Sequence, residues 1–432
     1  MPDTAQVTTL GSGVRVVTER VPSVRSVALG FWVRTGSRDE TPAQAGLSHF
    51  LEHLLFKGTD RFSSVEIDEI FDAMGADVNA GTGKETTSVY SRLLDRHLEE
   101  AFDVLQDMVL RPTYPDIDSE RQVVIEEIAM YEDEPSDKVH DILARTIFGA
   151  HPLGRPVIGR AEVISSVPVP DISAYHDLRY APGHLVVSAA GSIDHDHLVG
   201  LTEAAVGAAS ANGGGGGGAQ QPEPVPEVLA PSVGFFRKDT EQYHLCLGAP
   251  GLARGDERRF ALRVLDTVLG GSSSSRLFQE VREKRGLAYA VFSYASQYVD
   301  SGQVGLYVGT RPDNVAEAMD VIGTELRRVH EEGITEVELE RARENLKGRT
   351  TLGMESTLAR MNRNGSSLLM DIPLLTLDEI LARIDAVTLE DVAALSAELF
   401  DPARMSAAGV GADESSFREA LAAVDPKLVA AA

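Results

Sequence analysis

Two histidines and a glutamate within five residues form the part of this chain best suited to metal chemistry. They are His49, Glu52 and His53, in the order His-x-x-Glu-His. Histidines four residues apart lie one turn above the other on a helix, so both imidazoles can bind a single ion such as zinc, with a carboxylate beside them. The alternative is an amphipathic helix whose polar face is only hydrated. The motif therefore needs a third ligand.

The residues around this motif predict an amphipathic helix that positions its side chains. Apolar residues recur at helical spacing along one face, and these are Leu47, Phe50, Leu51, Leu54 and Leu55. The two histidines and the glutamate fall on the opposite face. Residues 41–44 predict a capping box with Pro42 at the first helical position, and Lys57 and Gly58 predict the end of the helix.

A second predicted helix, over residues 116–132, offers carboxylates for the third ligand position. Glu120, Val124 and Glu127 line one face of it, whereas Glu126 lies nearer to solvent. This periodicity favours Glu127 as the ligand, with Glu120 two turns earlier as its companion. The alternative is an acidic helix face that contacts only solvent.

The 432-residue chain is long enough for two domains, and its second half repeats the predicted order of strands and helices in the first. The offset is roughly 215 residues, which indicates duplicated domains rather than a solenoid. Residues 212–230 combine six consecutive glycines with a proline-rich stretch and predict a linker. We therefore predict a domain at 1–211, which carries the histidine motif, and a related domain at 231–432, which lacks it.

Composition excludes several classes of partner and site. A formal net charge of −26 argues against nucleic acid and against anionic membranes. The single cysteine, Cys246, excludes an intrachain disulfide and a cysteine-based metal site. No apolar run is long enough to span a bilayer, and the N-terminus does not resemble a signal peptide, so the sequence predicts a cytoplasmic location. His195 and His197 are expected in a surface turn rather than in a metal site.

Three segments resemble the pitrilysin (M16) family of zinc peptidases, the inverzincins that include the mitochondrial processing peptidase. Residues 47–59 are similar to the family's zinc-binding segment. Residues 120–128 resemble the stretch with the third ligand, and residues 282–289 resemble an Arg-plus-Tyr signature of the catalytically silent domain. The resemblance covers nearly the whole chain and is closest to the short bacterial members with two domains.

The resemblance implies an α+β fold of two homologous domains, each an antiparallel-rich sheet packed with helices. It places the third zinc ligand on Glu127 and the family's earlier carboxylate on Glu120. It also implies one zinc ion in the catalytic domain, with Glu52 as the base that accepts a proton from water. Arg282 and Tyr289 are expected beside the substrate, with Tyr289 donating a hydrogen bond to the developing oxyanion.

The resemblance further implies a zinc endopeptidase that cleaves peptides or short unfolded polypeptides in an enclosed chamber. A substrate peptide would join a sheet edge at residues 77–82, where Asn79 and Ala80 match the family's binding positions. The expected assembly is a homodimer, or a heterodimer with a paralogous chain, in which Arg282 and Tyr289 act across the interface. Two alternatives are a non-catalytic scaffold of the same fold and a structural metal-binding domain without turnover.

Overall fold

The computed structural model describes residues 5–211 and 225–430, which form two compact units. Within these residues, the first unit comprises residues 5–128, 156–211 and 351–377, and the second comprises residues 129–155, 225–350 and 378–430. Most of the predicted linker lies outside the described residues. Each unit contains one sheet with helices packed against it, which confirms the predicted α+β class.

The first unit contains a six-stranded sheet in the order β1-β2-β6-β3-β5-β4. Its strands are β1 (Gln6–Thr9), β2 (Arg15–Arg20), β3 (Ser26–Val33), β4 (Asp77–Thr82), β5 (Thr87–Leu94) and β6 (Leu185–Gly191). The second unit contains a five-stranded sheet in the order β7-β11-β8-β10-β9. Its strands are β7 (Val233–Arg237), β8 (Tyr243–Pro250), β9 (Ala288–Gln297), β10 (Gly302–Thr310) and β11 (Ser406–Gly411). All neighbouring strands are antiparallel except β2 with β6 and β7 with β11.

Sixteen α-helices are assigned within the described residues. In the first half they are α1 (Leu47–Leu54), α2 (Ser64–Met74), α3 (Leu98–Leu110), α4 (Ile117–Asp133), α5 (Pro135–Phe148), α6 (Ala161–Ser166), α7 (Val169–Arg179) and α8 (His195–Ala211). In the second half they are α9 (Arg259–Leu269), α10 (Val315–Glu332), α11 (Glu336–Gly353), α12 (Thr357–Leu369), α13 (Leu377–Asp385), α14 (Leu389–Leu399), α15 (Glu414–Leu421) and α16 (Pro426–Ala430). None of these helices combines the length and the apolar character needed to cross a bilayer.

Strand β3 shows how the first unit is layered, because both of its faces are buried. Leu29 and Phe31 join the apolar core that also contains the buried side of α1. Ala28 and Trp32 point to the other face, where they pack with Met361 of α12. Since side chains alternate along a strand, helices cover the sheet on both sides at β3.

The two units exchange one helix each, so they do not coincide with the contiguous domains expected at 1–211 and 231–432. Helix α5, from the first half of the chain, buries Val139 and Leu143 in the core of the second unit. Helix α12, from the second half, buries Met361 and Leu369 against the sheet of the first unit. The apolar face of a helix shows that it must pack against something, but the pattern does not specify which sheet it covers.

Helix α1 begins later than the sequence suggested. The capping box at Thr41 forms, but it begins a separate 3₁₀ turn at Pro42–Gln44. Gly46, with a φ of 98°, then redirects the chain into α1. The buried Glu40 carboxylate accepts hydrogen bonds from the backbone N–H groups of Gly46 (2.8 Å) and Ser48 (2.7 Å), so it stabilises the helix N-terminus in place of the predicted cap.

The segment around His195 also differs from the prediction. His195 and His197 lie in the first turn of α8 rather than in a surface turn. The two ring nitrogens of His195 are within hydrogen-bond distance of the Thr8 hydroxyl (2.8 Å) and the Thr18 hydroxyl (2.9 Å). Asp194, just before the helix, accepts from the backbone N–H of His197 and so acts as its N-terminal cap.

Replacing Gly159 with alanine is expected to destabilise the first unit. Gly159 has a φ of +83°, and a Cβ there would lie 2.1 Å from the Cα of Gly46, at the start of α1. Strain and overpacking together cost about 2–5 kcal/mol, so thermal unfolding should begin roughly 5–10 °C lower. The matched control is Gly200→Ala in α8, where an added Cβ meets no atom within 4 Å. Equal melting temperatures for the two variants would contradict the prediction.

Candidate metal centre

Helix α1 holds the two histidines on the face opposite its apolar stripe. Leu47, Phe50 and Leu51 are fully buried, which fixes the rotation of the helix about its axis. His49 and His53 then project from adjacent turns, with their ring centroids 4.7 Å apart. Both side chains are largely buried, so they lie in an environment where few water molecules compete for their nitrogen atoms.

Helix α4 brings Glu127 to the same place. Val124, one turn earlier, is buried and fixes the rotation of α4, while Glu126 is exposed. The Oε2 atom of Glu127 lies 3.7 Å from Nε2 of His49 and 3.3 Å from Nε2 of His53. One ligand atom from each of these three residues lies within 4.8 Å of the others.

These three residues fit a zinc ion by type and by spacing. Tetrahedral zinc with bonds of about 2.0–2.1 Å separates its ligand atoms by about 3.3 Å, close to the distances found here. Burial, and next the neighbouring His53, lower the pKa of His49, whereas Glu127 opposes this change. A lowered pKa favours the neutral imidazole, which is the form that binds a metal.

Glu120 orients His53 and is itself held by a lysine. Its buried carboxylate accepts a hydrogen bond from Nδ1 of His53 at 2.8 Å and lies 2.7 Å from Nζ of Lys57. With the proton on Nδ1, the lone pair of Nε2 faces Glu127, as metal binding requires. Sequence reasoning placed Glu120 correctly on this face but assigned Lys57 only to the end of the helix. The position of Lys57, four residues after His53, was the signal that could have predicted its contact with Glu120.

Replacing Glu120 with glutamine is expected to weaken zinc binding by about tenfold or more. The glutamine amide oxygen can still accept a hydrogen bond from His53. The substitution removes the negative charge that makes the His53 imidazole a stronger ligand and forms the ion pair with Lys57. Competition against a coloured chelator measures the affinity, and Glu126→Gln on the exposed side of α4 is the control. Unchanged affinity in Glu120→Gln would show that Glu120 does not support the site.

Glu52 lies on α1 between the two histidines and is also largely buried. Its Oε2 atom accepts a hydrogen bond from the hydroxyl of Thr82 at 2.5 Å. Burial raises the pKa of Glu52, and the hydrogen bonds from Thr82 partly oppose that shift. A carboxyl group with a raised pKa is better matched to accepting a proton near neutral pH. Sequence reasoning missed Thr82, because only the sheet brings it to Glu52.

The expected substrate-binding positions Asn79 and Ala80 lie on β4, which ends at Thr82. Strand β4 is the last strand in the order of its sheet, and among the residues that the structure describes it pairs with β5 alone. Asn79 is exposed, and its side-chain oxygen accepts a hydrogen bond from the backbone N–H of Ala80 at 2.8 Å. Ala80 is half-buried against the core of the first unit. The edge position and the contact with Glu52 place these residues on a strand that leads to the metal centre.

Arg282 and Tyr289 lie together in the second unit. The guanidinium carbon of Arg282 is 4.4 Å from the centroid of the Tyr289 ring, and Nη1 donates to the Tyr289 backbone oxygen at 3.1 Å. Tyr289 itself is 78% exposed. The structure thus forms two clusters from the predicted residues: the metal centre with Glu52 and Glu120 in one unit, and the Arg282–Tyr289 pair in the other.

Two family models match consecutive parts of the chain. Residues 15–161 match the model described as "Insulinase (Peptidase family M16)", which contains every residue of the metal centre. Residues 166–346 match the model described as "Peptidase M16 inactive domain", in agreement with the absence of the histidine motif from the second half.

Individual relatives extend this similarity over nearly the whole chain. The uncharacterized zinc protease SCO5738 of Streptomyces coelicolor is 46% identical over 409 residues, covering 92% of this chain and 87% of that protein. The uncharacterized zinc protease YmxG of Bacillus subtilis is 45% identical and covers 91% of this chain and 95% of that protein. A protease structure from Helicobacter pylori has the same fold, with a TM-score of 0.88 at 22% identity, covering 95% of this chain and 100% of that chain. The chain therefore belongs to peptidase family M16 and is a zinc metallopeptidase.

Proposed function

We propose that this protein is a zinc-dependent endopeptidase that cleaves peptides or short unfolded polypeptides in an enclosed chamber. The observation that carries the proposal is the convergence of His49, His53 and Glu127 beside the buried carboxylate of Glu52. Zinc, when bound by these side chains, supplies a Lewis acid that activates water and polarises the scissile carbonyl. A structural zinc site is closed by four protein ligands, whereas three ligands beside a base are typical of a catalytic site.

Glu52 has the position and environment of the general base. It accepts the proton of the attacking water and passes it to the leaving amine. Glu120 holds His53 in the tautomer that binds zinc, and it therefore acts through the ligand rather than on the substrate.

Strand β4 is the proposed binding edge for the peptide. Backbone hydrogen bonds to an edge strand give affinity with little demand on sequence, which suits an enzyme for varied peptides. Asn79 and Ala80 lie midway along this strand, and Thr82 at its end contacts Glu52. A peptide paired with β4 is thereby directed toward the metal centre.

The proposal is tested by digesting a peptide library with and without a chelator and quantifying zinc per chain. We expect cleavage that the chelator abolishes and added zinc restores. Cleavage that continues without zinc would contradict a zinc peptidase mechanism. Zinc binding without any cleavage would instead favour the second candidate, a scaffold of the M16 fold, although the intact ligand set and base argue against it.

The proposed assembly is a homodimer, or a heterodimer with a paralogous chain, in which Arg282 and Tyr289 serve the metal centre of the partner chain. The exposed ring of Tyr289, with Arg282 stacked on it, is available to a substrate and can donate to an oxyanion. Mixing the inactive variants Glu52→Gln and Tyr289→Phe should restore activity, because an exchanged dimer contains one site with both groups intact. No recovery after verified subunit exchange would contradict action across the interface.

A further inference from the structure

In β4, the backbone N–H and C=O groups of every second residue point to the free edge of the sheet. The hairpin between β4 and β5 shows which residues these are. The N–H of Gly83, just after β4, donates to the carbonyl of Thr86 at 2.7 Å, which closes the hairpin. In an antiparallel pair, residues whose backbone groups are hydrogen-bonded to the partner strand alternate with residues whose backbone groups point away from it. Counting back from Gly83, the residues that point to the free edge are Thr82, Ala80 and Val78.

One hydrogen bond agrees with this alternation. The N–H of Ala80 is turned to the side-chain oxygen of Asn79, at 2.8 Å, rather than to β5. The last outward-facing residue of the strand, Thr82, donates its hydroxyl to the carboxylate of Glu52 at 2.5 Å. The end of the edge strand is therefore bound to the carboxylate that we assign as the base.

Thr82 fixes the orientation of Glu52 through its hydroxyl. A glutamate side chain has three rotatable bonds, and its position matters because a base must meet the water proton within hydrogen-bond distance. A hydrogen bond to a carboxylate is about twice as strong as a neutral one, so this bond restricts the conformations of the Glu52 side chain. The donor belongs to the last residue of a paired strand, which is more rigid than a loop.

We propose that Thr82 is the positioning residue for Glu52 and couples the peptide-binding edge to the catalytic base. This inference rests on the proposed peptidase function. A bound peptide pairs with the outward groups of Val78 and Ala80, while the hydroxyl of Thr82 remains on Glu52. The strand that aligns the substrate is thereby the same strand that aligns the base, so their relative placement does not depend on a flexible segment.

The test compares Thr82→Val, which removes the hydroxyl at nearly constant shape, with Thr82→Ser, which keeps it. For a peptide identified in the library digestion, we expect kcat of Thr82→Val to fall about ten- to a hundredfold with KM nearly unchanged. Thr82→Ser should retain kcat to within about threefold, since the hydroxyl still reaches Glu52. Zinc content should equal that of the wild type in both variants, and Thr82→Ala replaces Thr82→Val if the latter does not fold.

A crystal structure of Thr82→Val gives a readout that does not depend on activity, because the Glu52 carboxylate should leave its wild-type position. Thr82→Val with wild-type kcat, Thr82→Ser as impaired as Thr82→Val, or an effect confined to KM would each overturn the inference. An unmoved carboxylate in the crystal would also overturn it. A wild-type protein without zinc-dependent cleavage would instead contradict the proposed function, and the crystal structure would still decide whether Thr82 positions Glu52.

Discussion

Replacing Glu52 with glutamine is expected to lower kcat/KM for peptide cleavage by about a hundred- to ten-thousandfold. The amide is nearly isosteric and still accepts a hydrogen bond from Thr82, but it cannot take a proton from water. Zinc content and melting temperature should remain close to those of the wild type, because Glu52 is not among the three proposed ligands. Steady-state kinetics on a fluorogenic peptide, with zinc analysis of the same samples, measure both effects. Full activity in this variant would exclude Glu52 as the base.

Replacing Glu127 with glutamine is expected to weaken zinc binding on the order of a thousandfold and to abolish activity at ordinary zinc concentrations. The carboxylate is the proposed anionic ligand beside His49 and His53, and a neutral amide is a much poorer ligand for zinc. The neighbouring Glu126→Gln is the matched control, since it makes the same chemical change on the exposed side of α4.

Zinc affinity of the two variants, measured by competition with a chelator, separates the roles of these adjacent carboxylates. We expect Glu126→Gln to bind zinc like the wild type. If Glu126→Gln lost zinc and Glu127→Gln kept it, the proposed ligand set would be wrong.

Local periodicity predicted which faces of α1 and α4 carry the candidate metal ligands. The faces of α1 and α4 follow from helix geometry alone, so spacing could put His49 beside His53 and could favour Glu127 over Glu126. The bounds of α4, predicted as 116–132 and observed as Ile117–Asp133, show that the apolar pattern also located the helix. The family resemblance then linked two helices that are separated by more than sixty residues in the chain.

Features that depend on the local backbone path or on long-range packing could not be predicted in this way. The capping box at residues 41–44 was recognised, but the left-handed Gly46 that separates it from α1 depends on the close approach of Gly159. Thr82 reaches Glu52 only because β4 lies at the sheet edge, and no spacing in the sequence encodes that contact. The side of the sheet that α12 covers is likewise decided by tertiary packing.

The exchange of α5 and α12 between the units affects how the protein can fold while it is synthesised. It also gives a reason why the half without the His-x-x-Glu-His motif has been retained. The first unit needs α12 to cover Ala28, Trp32 and Val186, and α12 leaves the ribosome only after most of the second half has been made. Until then, one face of the catalytic sheet remains exposed and prone to aggregation. A gene shortened after residue 211 would lack this helix permanently. The half without the His-x-x-Glu-His motif thus completes the half that carries it, and neither could be discarded without the other.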